Sequence, residues 1–181
     1  MRQDFIVSDT GPLISLEKLS NGYGFIRKLY QKIIVPPTVM DELTQGDKEV
    51  YLKTFGITDF LIIQTPKNQC EIPDIEKLHT GEIEAINLAI ELKANLLIEE
   101  LAGKKAAGQL GIKRTGIAGL IYESFSKGMT TQFEALQKLK MLYENKRLDK
   151  KTFGILKNKI VKNEVVTFHS IKARWFHLCW L

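Results

Sequence analysis

Short apolar runs alternate along the chain with longer stretches whose apolar residues recur every three or four positions. "FIV" (residues 5–7), "IIV" (33–35), "LII" (61–63) and "LLI" (96–98) are too short for helices and read as strands. "IKRT" (112–115) reads as a fifth. Gly11-Pro12 opens a helix carrying Leu13, Leu16 and Leu19, with Pro12 suited to a first turn. A second helix is predicted over residues 24–30. Pro36-Pro37 opens a third, apolar at Val39, Met40 and Leu43. Residues 64–78, with Pro66 and Pro73, read as a polar loop. "TGEIEAINLAIELK" is a helix with Thr80 as its predicted N-cap. "LAGKKAAGQL" is another, stopped by Gly111, and residues 117–126 form a helix ended near Gly128. After Gly128 the pattern is helical only, over 132–144 and 150–162, around Leu136, Leu139, Leu142, Phe153, Leu156 and Ile160. Strands separated by helices predict an α/β fold, a central and mostly parallel sheet covered on both faces. The expected organisation is a domain over 1–128, a C-terminal helical extension over 129–162, and an aromatic-rich tail over 163–181.

Composition narrows the class. With 181 residues, 44% of them hydrophobic, the chain has material for one compact domain and an extension without disulfide staples. Cys70 and Cys179 stand far apart and without metal-ligand spacing, and His169 and His177 add no zinc motif. No apolar run reaches transmembrane length, and Asp4 interrupts the N-terminus where a signal peptide needs an apolar stretch. The expectation is a cytoplasmic protein with no membrane association. Net charge is +5 and unevenly spread: 12 Lys/Arg stand against 4 Asp/Glu from Lys127 onward, and 14 against 17 before it. A basic C-terminal third suits a polyanionic partner, although lysine-rich helices are also simply soluble. Trp175, Phe176, Leu178, Trp180 and Leu181 give the tail an apolar cluster that needs covering, by the domain, a second copy or a partner.

Open parallel sheets bind ligands at the carboxyl ends of their strands. Asp9 lies two residues past the first strand, and Glu99 and Glu100 lie immediately past the fourth. Glu82 sits in the first turn of the preceding helix, and Glu42 follows Val39 by three residues in the third. Each also has an ordinary role. Asp9 can cap through an Asx-turn, Glu82 and Glu84 can complement a helix dipole, and Glu42 can be solvated. Convergence is the costly case. Two carboxylates ~4 Å apart at an effective dielectric of ~20 repel by about 4 kcal/mol, so a cluster of them requires cations or raised pKa values. Oxygen ligands without His or Cys suit Mg²⁺ or Mn²⁺.

"FIVSDTGPLISLEKL", "IIVPPTVMDEL", "GEIEAINLAIEL" and "LLIEELAGKKAAGQLGIK", in that order, resemble a PIN domain. The resemblance is to the bacterial and archaeal subgroup related to VapC-type toxins of toxin–antitoxin modules, and it runs over about 5–128 and loosely to 162. It implies a PIN-like α/β/α sandwich with extra C-terminal helices, and a Mg²⁺- or Mn²⁺-dependent ribonuclease in which a metal-activated water cleaves the phosphodiester. Asp9, Glu42, Glu82 and Glu99 match the acidic catalytic and metal-binding positions. Thr10 matches a small polar neighbour of the first acid, and Glu100 supports the site. RNA, an antitoxin protein and a second copy of the chain are the implied partners. Lys104, Lys105 and Arg114 are candidate phosphate contacts, each equally readable as a solvated helix or strand face. The chain departs from the family pattern twice. Glu99 replaces an aspartate, and its extra methylene moves the carboxylate by ~1.5 Å. Ile117 stands where the subgroup often has a hydroxyl-bearing residue. The alternative is therefore a catalytically weakened PIN-fold module that binds RNA or regulates. A nucleotide-binding doubly wound domain is disfavoured, because no Gly-rich phosphate loop follows a strand.

Overall fold

A computed structural model describes residues 3–44 and 46–162. The chain divides into two compact units, one ending at Ile117 and one beginning at Ala118. In the first, β1 (Gln3–Ser8) lies at the centre of a five-stranded sheet with β2 (Tyr30–Val35), β3 (Leu61–Ile63), β4 (Leu96–Leu97) and β5 (Arg114–Thr115) in the order β3-β2-β1-β4-β5. Every pairing is parallel. Ile6 and Val7 are fully buried, as are Ile33, Val35, Leu96 and Leu97, which explains the unbroken apolar runs: a strand covered on both faces has no polar side. The two edge strands are the exceptions: β3 buries only Leu61, and β5 buries neither of its residues.

Helices α1 (Thr10–Glu17) and α2 (Gly22–Arg27) connect β1 to β2, and α3 (Pro37–Thr44) and α4 (Lys48–Thr54) connect β2 to β3. A loop with a 3₁₀ turn at Ile75–Lys77 leads into α5 (Thr80–Glu91), and α6 (Leu101–Gln109) joins β4 to β5. Right-handed crossovers place α1 to α4 over one face and α5 and α6 over the other, giving the expected α/β/α sandwich. The direction of progress reverses between β1 and β4, so the crevice for a ligand opens beside the ends of those two strands. α1, α2 and α4 are joined by half-buried hydroxyls: Tyr23 of α2 and Tyr51 of α4 share a 2.7 Å hydrogen bond, and Tyr51 donates to Glu17 of α1 at 2.7 Å.

The differences from expectation are local. α2 begins at Gly22 and ends before Tyr30, which starts β2. α4 has no signal in the sequence pattern, since none of its residues is fully buried and no apolar period marks it; Asp47 caps it by accepting from the Val50 N–H. α5 is capped at His79, with Thr80 its first helical residue. The second unit contains the body of α7 (Ile117–Ser126), α8 (Gln132–Glu144) and α9 (residues 150–162). Leu120, Ile121, Leu139, Leu142 and Ile160 are buried in it. Its Thr131 caps α8 by accepting from the Glu134 N–H at 3.2 Å. The aromatic-rich tail over 163–181 lies outside the described residues. Among the described residues no helix is long and apolar enough to cross a membrane.

Candidate active site

The end of β1 places Asp9. Its N–H donates to Leu97 O at 3.0 Å, one step past the last β1–β4 ladder pair, so the residue is pinned where both strands stop. Asp9 is only 4% exposed. Burial pushes its carboxyl up to about 6. The Thr10 N–H opposes that rise, Glu82 adds to it, the Gly11 N–H opposes it and Glu42 adds to it. Asp9 starts α1 but makes no side-chain cap hydrogen bond.

Glu82 comes from the first turn of α5 and is also 4% exposed. Its Oε2 accepts from the His79 N–H at 3.0 Å. Its Oε1 is buried with no hydrogen-bond partner among the described residues. A glycine makes the space for it: a Cβ at Gly103 in α6 would stand 2.5 Å from Glu82 Oε1 and 2.3 Å from Ile98 Cδ1. Glu42 reaches in from the exposed side of α3 and accepts a hydrogen bond from Thr10 Oγ1. Gly81 leaves room there too, since a Cβ would lie 3.0 Å from Glu42 Oε1. Asp9, Glu42 and Glu82 are thus electrostatic neighbours drawn from three separate crossovers.

Glu99 is placed differently. Its Oε2 accepts from Ser15 Oγ at 2.6 Å, and its Oε1 accepts from the Ile117 N–H at 3.2 Å. Glu100 is exposed at the N-cap of α6 without a side-chain cap bond, and its carbonyl accepts from the Lys104 N–H. Lys105 pairs with Asp74 at 2.7 Å, and the Arg114 guanidinium lies over Gly108, where a Cβ would meet it at 2.4 Å. Among the described residues no group of three or more His, Cys, Asp or Glu side chains is gathered tightly enough to hold a metal ion.

Ser15, Gly81 and Gly103 escape sequence reasoning. Ser15 interrupts the apolar face of α1 between Leu13 and Leu16, all three buried, and that misplaced hydroxyl is the available signal. Gly103 follows Glu99 by four residues inside a helix, where glycine is unfavourable unless something approaches.

Comparison with known proteins shows the family and the fold. A family model described as a PIN domain, DUF3368, matches residues 5–160. Among solved structures, a PilT N-terminus domain protein from the hyperthermophilic archaeon Sulfolobus solfataricus P2 is similar in fold. It has a TM-score of 0.50 and 21% identity over 66% of this chain and 92% of that one. No curated protein matches. PIN domains are typically nucleases, and such nucleases generally use divalent metals. The chain belongs to the DUF3368 family of PIN domains.

Proposed function

We propose that the protein is a divalent-cation-dependent ribonuclease, the toxin of a toxin–antitoxin pair, with Asp9, Glu42 and Glu82 at its centre. One observation carries the reading. A buried carboxylate oxygen, Glu82 Oε1, has no hydrogen-bond partner among the described residues, and it belongs to a group that raises the pKa of the equally buried Asp9. Buried charge of one sign without partners is costly, and a cation is the ligand that reverses the cost. The donors are all carboxylate oxygens, which fits Mg²⁺ or Mn²⁺ and excludes a soft-metal site. When bound, such an ion supplies an activated water and neutralises charge on the phosphodiester.

The chain's own residues do the rest. The Asp9 N–H bond to Leu97 holds the first carboxylate at the sheet end. The His79 N–H orients Glu82 through one oxygen and leaves the other for a ligand. Thr10 orients Glu42. Gly81 and Gly103 keep the space beside both glutamates clear. Incubating RNA with the protein and Mn²⁺, with and without EDTA, tests the reading. Cleavage that EDTA and Asp9→Asn both abolish is expected; Asp9→Asn protein as active as wild type rules it out.

A second reading is favoured by the carboxylates of the described residues, no three of which are gathered tightly enough to hold a metal ion. It makes the protein an RNA-binding or regulatory module without turnover. RNA retention with no cleavage in Mg²⁺, Mn²⁺, Co²⁺ or Zn²⁺ distinguishes it.

A further inference from the structure

We infer that Glu99 is a positioning residue, a bracket tying the end of β4 to α1 and to the first residue of α7, and not a cation ligand. Both of its oxygens already accept hydrogen bonds, from Ser15 Oγ at 2.6 Å and from the Ile117 N–H at 3.2 Å. Ser15 is fully buried, so its hydroxyl bond to Glu99 is shielded from water. Gly116 is shaped to the bracket: a Cβ there would stand 3.2 Å from Glu99 Cγ and 3.4 Å from Oε1. An aspartate, one methylene or ~1.5 Å shorter, reaches neither donor from the same backbone. The longer side chain therefore has a use of its own. Glu82 shows the opposite state, with one oxygen tied to His79 and the other unengaged. Glu99 also differs from Glu42 and Glu82, the two acids that act on the charge of Asp9.

The inference rests on the cation reading only for its contrast with Glu82. It is tested by Mn²⁺ titration calorimetry together with thermal melting of the full chain. Glu99→Gln keeps the bracket while removing the charge: its carbonyl accepts from the Ile117 N–H, and its amide donates to Ser15 Oγ, which reorients. Glu99→Gln is expected to bind Mn²⁺ within about threefold of wild type and to melt at the same temperature. Glu82→Gln should bind at least about tenfold more weakly. Glu99→Asp and Ser15→Ala should each lower the melting temperature. The Ser15→Ala/Glu99→Asp double variant should lose less than the sum of the two single losses, because the two changes share one contact. A tenfold loss of Mn²⁺ affinity in Glu99→Gln overturns the inference, as does Glu99→Asp protein that melts like wild type. Wild-type protein that binds no Mn²⁺ refutes the cation reading instead. The melting temperatures then decide the bracket alone.

Discussion

Replacing Asp9 by Asn should make the metal-free protein more stable at neutral pH while removing the proposed cleavage activity. Asp9 has its carboxyl moved from 3.8 to about 6, chiefly by burial. The folded state therefore holds the Asp9 proton more tightly than the unfolded chain does. The stabilisation that proton confers is complete below pH ~4 and is lost as the pH rises through about 6. The difference corresponds to about 3 kcal/mol by linkage. Asn is nearly isosteric and stays neutral. Its oxygen can face the Thr10 and Gly11 N–H groups, and its amide can donate toward Glu82 or Glu42. At pH 7.5 in EDTA the variant should exceed wild type by about 2–3 kcal/mol in urea unfolding, or roughly 2–4 °C in Tm per kcal/mol. The gap should shrink steadily as the pH falls from 7 to 4, where wild-type Asp9 carries its own proton. A gap that is constant with pH, or a variant less stable than wild type at pH 7.5, would refute the assignment of a buried, like-charged site to this residue.

Further consequences are accessible to similar measurements. Gly103→Ala drives a Cβ into Glu82 and Ile98, and should cost about 1–3 kcal/mol in urea unfolding together with most metal-dependent cleavage. Thr10→Val keeps the shape and removes the hydroxyl that orients Glu42. It should reduce Mn²⁺ affinity by about tenfold or more, read by calorimetry, with little change in Tm. Excess Mn²⁺ at ~100 times its Kd should stabilise wild type by about 2.7 kcal/mol, and Asp9→Asn should show no such gain in thermal melts. Tyr51→Phe breaks the chain from Tyr23 to Glu17 and should cost about 1–2 kcal/mol in chemical denaturation while leaving Mn²⁺ affinity intact.

The strands of the buried sheet were legible because burial on both faces leaves continuous apolar runs, and Gly11-Pro12, Pro36-Pro37 and Gly111 mark where helices start and stop. α4 was not legible, because "KEVYLKT" buries no residue fully, and a helix held by its Asp47 cap and by the hydrogen bonds of one tyrosine leaves no period to read. Helix identity carried Asp9, Glu42 and Glu82 to one end of the sheet, but sequence offers no measure of rotamer. Whether a glutamate points at its neighbours or away depends on donors remote in the chain. For Glu99 these are Ser15, 84 residues earlier, and the Ile117 N–H, 18 residues later. The extra methylene was visible in the sequence as a departure from the family; what it reaches was not. The open positions at Gly81 and Gly103 were equally hidden, since a helical glycine announces a close approach without naming what approaches.

The placement of β1 has a bearing on biosynthesis. β1, made before the other four strands, is the one that ends at the centre of the sheet, flanked by β2 and by β4. The bond that pins Asp9 waits for Leu97, and β4 in turn donates from Leu96 and Ile98 to Lys113 and Thr115. A nascent chain already carrying Asp9, Glu42 and Glu82 thus lacks the strand that arranges them until most of the first unit has been synthesised. Long-range closure of this kind is slow. For the ribonuclease proposed above, this topology keeps the carboxylates unassembled until β4, more than fifty residues after Glu42, has been made.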